Sequence, residues 1–119
     1  MKKFKIIRID HIAIATKEQE KMNAFFLDLL DSKKVQEEVI DSEKVTTTIF
    51  NINNTNIETL KPLSDDSSIS SFLNKRKSGI HHIAFLVDNI NEAILYFKNN
   101  NIRVIYDPPR IGASNKLIT

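Results

Sequence analysis

Gly79-Ile80-His81-His82-Ile83-Ala84-Phe85-Leu86-Val87 decides the fold, because Ile9-Asp10-His11-Ile12-Ala13-Ile14-Ala15 repeats its pattern near the N-terminus. Each run sets a His, an Ile and an Ala, in that order, inside an alternating apolar segment. Period-two alternation is the mark of a β-strand, so each run reads as a strand with a His on one face. The likeness extends downstream. Phe25-Phe26 follows His11 at the distance at which Tyr96-Phe97 follows His82, in both cases inside a stretch of helical period. The chain therefore reads as two copies of one unit.

Working outward, residues 5–15 form the first strand, with Ile7, Ile9, His11, Ala13 and Ala15 on one face and Ile12 and Ile14 on the other. Thr16 and Gln19 have the spacing of a capping box at the head of a helix. The buried stripe expected of that helix is Met22, Phe25, Phe26, Leu29 and Leu30. Strands follow at 35–40, 45–52 and 55–60, separated by the polar turns Asp41-Ser42-Glu43-Lys44 and Asn53-Asn54. After a polar connection, Ser67 or Ser68 caps a short helix at 69–77. The second copy runs through a strand at 80–87, a helix capped by Asp88 and closed by Asn99-Asn100-Asn101, and a strand at 102–106. A loop at 107–112 leads to the start of another strand at Leu117. The expected fold class is α+β, with two tandem βαβββ modules of which the second is incomplete. The module bounds are 1–63 and 80–119, joined by a helical linker at 64–79. A half-built sheet leaves an open edge, so a longer chain or a second chain is expected to cover it.

Composition narrows the possibilities. The 119 residues are long enough for one domain or two small fused modules. With no cysteine, disulfides and thiolate metal sites are ruled out, which fits a reducing cytoplasm. No apolar run approaches the ~18 residues of a membrane span, so no membrane partner is expected. A net charge of +2 is too mild to indicate a nucleic-acid partner.

Three residues carry candidate chemistry. His11 and His82 hold equivalent places in the two copies. Ala13 and Ala15 lie on the face of His11, and Ala84 on the face of His82. Small neighbours leave room beside an imidazole. Two readings stand together here: strand histidines satisfied within the fold, or ligands on a shared cavity. Glu58 faces the same way as Leu60 and opposite Ile57. It is either a solvent-facing edge residue or, if buried, a paired or metal-bound carboxylate. His11, Glu58 and His82 together would suit a divalent first-row metal. By alternation His81 points away from His82 and reads as structural or solvent-facing. Arg110 and Lys116 flank a Gly-containing loop and are candidates for binding an anion. No Gly-rich phosphate loop and no Ser-His-Asp set is visible.

These residues resemble methylmalonyl-CoA epimerases, members of the vicinal oxygen chelate superfamily with glyoxalase I and bleomycin-resistance proteins. The likeness rests on Ile9-Asp10-His11-Ile12-Ala13-Ile14-Ala15, on Ile57-Glu58-Thr59-Leu60-Lys61-Pro62-Leu63, and on the linker from Ser67 through Arg76 into Gly79-Ile80-His81-His82. Asp107-Pro108-Pro109-Arg110-Ile111-Gly112-Ala113 resembles that family's late loop. The resemblance implies one divalent ion (Co, Mn, Ni or Zn) held by His11, Glu58 and His82, with Glu58 also close to the chemistry. It further implies an acyl-CoA thioester substrate, a cytoplasmic homodimer, and inversion of the α-carbon of methylmalonyl-CoA through a metal-stabilised enolate. The family's fourth ligand, a Glu on the last strand of the second module, lies past Thr119. A proposed base on the third strand falls near Thr47, and Ser114-Asn115 stand where a second pair of glycines is common. The same ligands would serve a glyoxalase-I-like lyase, which is the alternative; the linker favours the epimerase. From another class, a non-catalytic drug-binding member would lack the metal set that His11, Glu58 and His82 supply.

Overall fold

A computed structural model describes residues 1–119. In chain order the elements are β1 (Ile6–Ala15), α1 (Gln19–Ala24), β2 (Lys33–Ile40), β3 (Val45–Ile52), β4 (Thr55–Pro62), α2 (Ser70–Arg76), β5 (Gly79–Val87), α3 (Ile90–Asn99), β6 (Arg110–Ile111) and β7 (Leu117–Ile118). Five strands form one sheet in the order β2-β3-β4-β1-β5, and β6 and β7 form a separate two-stranded ribbon. This is the α+β architecture expected from the repeat. No helix is long and apolar enough to cross a membrane. The chain divides into two compact units, Ile9–Ala84 and Met1–Arg8 with Phe85–Thr119.

In the larger unit β4 runs parallel to β1, with Ala13 opposite Glu58 and Ala15 opposite Leu60. It runs antiparallel to β3, with Glu58 opposite Ile49 and Leu60 opposite Thr47. Residues opposite one another share a face, so His11, Ala13, Ala15, Glu58, Leu60, Thr47 and Ile49 lie on one side of the sheet. At one end of that side Ala13, Ala15, Val45 and Leu60 pack with Ile69 and Leu73 into a buried core. Ala13 and Ala15 therefore do not leave space for a ligand. Their small size instead lets Ile69 and Leu73 approach the strands closely.

The opposite side carries Thr48, Phe50 and Thr59 beneath α1. Phe26 stacks on Phe50 with ring centroids 5.3 Å apart. The contact between helix and sheet is also polar. Asn23 Nδ2 donates to Thr48 Oγ1 at 3.0 Å, and Thr59 Oγ1 donates to Asn23 Oδ1 at 2.7 Å. Gln19 Nε2 donates to the carbonyls of Thr46 and Thr59. Gln19 is therefore committed to the sheet, and the capping box expected with Thr16 does not form; Thr16 Oγ1 accepts from the Glu18 amide instead. Past Ala24 the helix continues as a π-helical turn, Phe25–Leu29, in which the Leu30 amide donates to the Phe25 carbonyl. The wider turn shifts the helical phase. As a result Phe26 alone of the expected downstream stripe is buried, while Phe25, Leu29 and Leu30 are exposed.

In the smaller unit Phe4 is buried edge-on between Tyr96 and Phe97 of α3, with centroids 5.7 and 5.6 Å away. Asp88 Oδ1 accepts from the Lys5 amide at 2.7 Å. The cap of α3 thus falls to Asn89, whose Oδ1 accepts from the Glu92 amide, and not to Asp88 as expected. The helix closes as anticipated, with Asn101 at φ 60°. Residues 102–106 are not a strand. The β-branched composition there meets no neighbouring strand to hydrogen-bond with, and Ile102 and Ile105 stay exposed.

Candidate metal and active site

All three histidines, Asp10 and Glu58 lie in the larger unit. β1 and β4 bring His11 and Glu58 to the same face, and Glu58 is only 5 % exposed. Burying a carboxylate is costly unless a partner offsets it, and Glu58 Oε2 lies 3.1 Å from His11 Nδ1. A second buried carboxylate, Asp10, places Oδ2 2.9 Å from the same nitrogen. The ligand atoms of Asp10, His11 and Glu58 all fall within 4.8 Å of one another. The other ring nitrogen of His11, Nε2, faces Nε2 of His82 on β5 at 3.1 Å. His82 Nδ1 in turn lies 2.9 Å from Nδ1 of His81.

Three candidates read from the sequence thus meet at one place, and two residues join them that strand alternation does not bring there. His81 is half-buried and edge-on to Phe72 of α2, with centroids 5.1 Å apart, rather than turned away from His82. Asp10 has a single signal in the sequence, its place directly before a candidate ligand. Thr47 shares the face of Glu58, is buried, and offers a hydroxyl where the resemblance points to an acid.

Electrostatics favour neutral imidazoles at His81 and His82. His82 is exposed overall, yet partial withdrawal of its ring from water, followed by repulsion from His11 and His81, holds its pKa down to about 4. Burial also lowers His81, with Glu43 opposing. Near neutral pH both rings keep a lone pair, the state a metal ligand requires.

The donor set fits a divalent first-row ion. Two nitrogens each ~2.0–2.1 Å from a metal lie roughly 2.8–3.4 Å apart for right-angled to tetrahedral coordination. The separation of 3.1 Å between the two Nε2 atoms is within that span. Glu58 offers a hard oxygen donor on the Nδ1 side of His11, where its Oε2 lies 3.1 Å from that nitrogen. Arg110 and Lys116 lie in the smaller unit, on the β6–β7 ribbon and its connecting turn. Arg110 pairs with Ile118, and its guanidinium lies 3.9 Å from the centroid of the Tyr106 ring.

Comparison with known proteins supplies the family. Residues 10–119 match the Glyoxalase/Bleomycin resistance protein/Dioxygenase superfamily. The ethylmalonyl-CoA/methylmalonyl-CoA epimerase of Cereibacter sphaeroides is 34% identical over 111 residues, covering 92% of this chain and 83% of that one. The chain belongs to the methylmalonyl-CoA epimerase family. The mouse mitochondrial family member is 36% identical over 114 residues, or 95% of this chain and 64% of that one. The chain thus spans just under two thirds of the length of its mammalian relatives. Among solved structures, a variant of the Streptomyces coelicolor family member in complex with 2-nitronate-propionyl-CoA is 27% identical, with a TM-score of 0.91. That match covers 95% of this chain and 85% of the other.

Proposed function

We propose that this chain epimerises methylmalonyl-CoA or a closely related 2-substituted malonyl thioester, using a divalent ion held by His11, Glu58 and His82. The observation that carries the proposal is the 3.1 Å approach of the two Nε2 atoms, together with the buried Glu58 carboxylate against the other nitrogen of His11. The acyl-CoA ligand of the Streptomyces coelicolor structure and the names of the relatives supply the substrate class.

The hydrogen on a carbon beside a thioester carbonyl is a weak acid, and its removal places negative charge on the thioester oxygen. When bound, the ion supplies a fixed positive charge for that oxygen. His11 and His82 would hold the ion through ring nitrogens from two different strands. Glu58 contributes a charged oxygen, and its burial keeps bulk water from that side of the site. Proton exchange with the substrate carbon is also assigned to Glu58. Arg110 and Lys116 are assigned to the anionic portion of the thioester. A cytoplasmic homodimer and the module bounds 1–63, 64–79 and 80–119 belong to the same proposal.

The test offers two substrates to the Co²⁺-loaded chain: (2S)-methylmalonyl-CoA and the hemithioacetal of methylglyoxal with glutathione. Epimerisation of the first with no turnover of the second is expected. Preference for the hemithioacetal would replace the epimerase with a lyase.

A further inference from the structure

The proposed ligand histidines share a feature that the ligand set does not require. In each copy of the repeat, the residue directly before the His is bonded to that His through Nδ1. Asp10 Oδ2 lies 2.9 Å from His11 Nδ1, and His81 Nδ1 lies 2.9 Å from His82 Nδ1. Consecutive strand residues ordinarily project to opposite faces, so a side-chain bond between neighbours is not the default. Here it occurs twice, at equivalent slots, with two unrelated side chains. What a carboxylate and an imidazole share is the ability to accept a hydrogen bond.

We propose that Asp10 and His81 are a matched pair of positioning residues that hold His11 and His82 as Nδ1–H tautomers, with both Nε2 lone pairs aimed at one point. The purpose of the arrangement rests on the metal reading above; the arrangement itself does not. If Nδ1 of His11 carries the proton, it donates to Asp10 and Nε2 is left as an acceptor. If Nδ1 of His82 carries the proton, it donates to Nδ1 of His81, whose own proton then sits on its Nε2. Two acceptor nitrogens then face each other at 3.1 Å. Like lone pairs at that distance repel unless a proton or a metal ion joins them, so with both Nδ1 atoms protonated the pair is set to take up a cation. At His11 the ring hydrogen bond is the one to Asp10, and Glu58 Oε2 stands 3.1 Å from the same Nδ1. A hydrogen-bonded partner behind a ligand His fixes its tautomer and raises its basicity, and losing one typically costs about 10–100-fold in metal affinity.

The experiment uses the 15N-labelled, metal-free full chain and long-range 1H–15N correlation of the imidazoles near neutral pH, followed by Co²⁺ titration. His11 and His82 are expected as Nδ1–H tautomers. His81→Phe keeps a ring against Phe72 but removes the acceptor. It should release His82 to a mixture of tautomers and weaken Co²⁺ binding about 10–100-fold, leaving His11 as it was. His81→Gln retains an acceptor and should restore most of the affinity. Asp10→Asn and Asp10→Ala should behave the same way at His11. Asp10 is buried, so if Asp10→Ala fails to fold, the half-buried His81 variants carry the test. Finding His82 protonated on Nε2 in the unsubstituted chain would overturn the proposal. So would a His81→Phe variant with unchanged tautomer and unchanged Co²⁺ affinity. If the unsubstituted chain binds no Co²⁺, the metal reading fails, while the tautomer pattern still decides this inference.

Discussion

Replacing Glu58 by Leu separates a functional carboxylate from a structural one. The side chain is 5 % exposed, on a face shared with Ala13, Ile49 and Leu60. A leucine of similar volume suits that apolar company. Nδ1 of His11, one partner that Glu58 leaves behind, keeps Asp10 Oδ2 at 2.9 Å, so that donor is not orphaned. Losing one charge-assisted hydrogen bond costs about 1.5–3 kcal/mol. Relieving the desolvation of a buried carboxylate returns a similar amount, and replacing buried ionic groups by apolar ones is often neutral or stabilising by about 1–4 kcal/mol. The metal-free Glu58→Leu chain should therefore be as stable as the parent or more so, by a net on the order of 1 kcal/mol, or roughly 4 °C in Tm for a chain of this size. Its Co²⁺ affinity should fall by at least about tenfold, because one ligand is gone. Urea unfolding of the metal-free proteins and Co²⁺ titration measure the two quantities. A loss of more than about 2 kcal/mol in the metal-free state would show that Glu58 holds the fold together; with unchanged Co²⁺ binding, it would refute the role given to it.

Three further expectations follow from other parts of the chain. The His82 pKa is about 4 in the folded chain and about 6.5 when unfolded. The unfolded state therefore binds more protons between those values, and metal-free stability should fall as pH drops from about 6.5 towards 4. A flat urea midpoint from pH 7 to 5, or a His82→Gln variant that falls as far as the parent, would contradict this. Phe26→Ala should cost about 3–5 kcal/mol by urea unfolding, because it empties the buried stack on Phe50. Phe25→Ala, one residue earlier and exposed, should cost under about 1 kcal/mol; equal losses would place the helical phase elsewhere. Gln19→Leu strips the donor from the Thr46 and Thr59 carbonyls and should destabilise by about 1–3 kcal/mol, with no change in Co²⁺ binding.

Repetition picks out His11 and His82 as equivalent strand positions, and alternation alone puts Glu58 on the face of Leu60; that Glu58 is buried against His11 follows from the pairing of β1 with β4, which alternation does not give. The same rule hides Asp10 and His81. It assigns backbone direction, and neither the carboxylate of Asp10 nor the imidazole of His81 ends where its Cβ begins. Helical period finds the helix after β1 but not its π-helical turn, which is decided by how Phe26 meets Phe50. Residues 102–106 carry strand-like composition, and composition cannot supply a neighbour to pair with. Ala13 and Ala15 suggest space by their size, but space is a property of what packs opposite; here that is Ile69 and Leu73.

The most direct test is proton exchange at the substrate carbon. Methylmalonyl-CoA is incubated in D₂O with the Co²⁺-loaded chain and followed by 1H NMR against a metal-only control. Loss of the α-proton signal and collapse of the methyl doublet, faster than the control and abolished in His11→Ala and His82→Ala, is the expected result. A chain that binds Co²⁺ stoichiometrically through these residues and still exchanges no faster than the control would contradict the proposed activity.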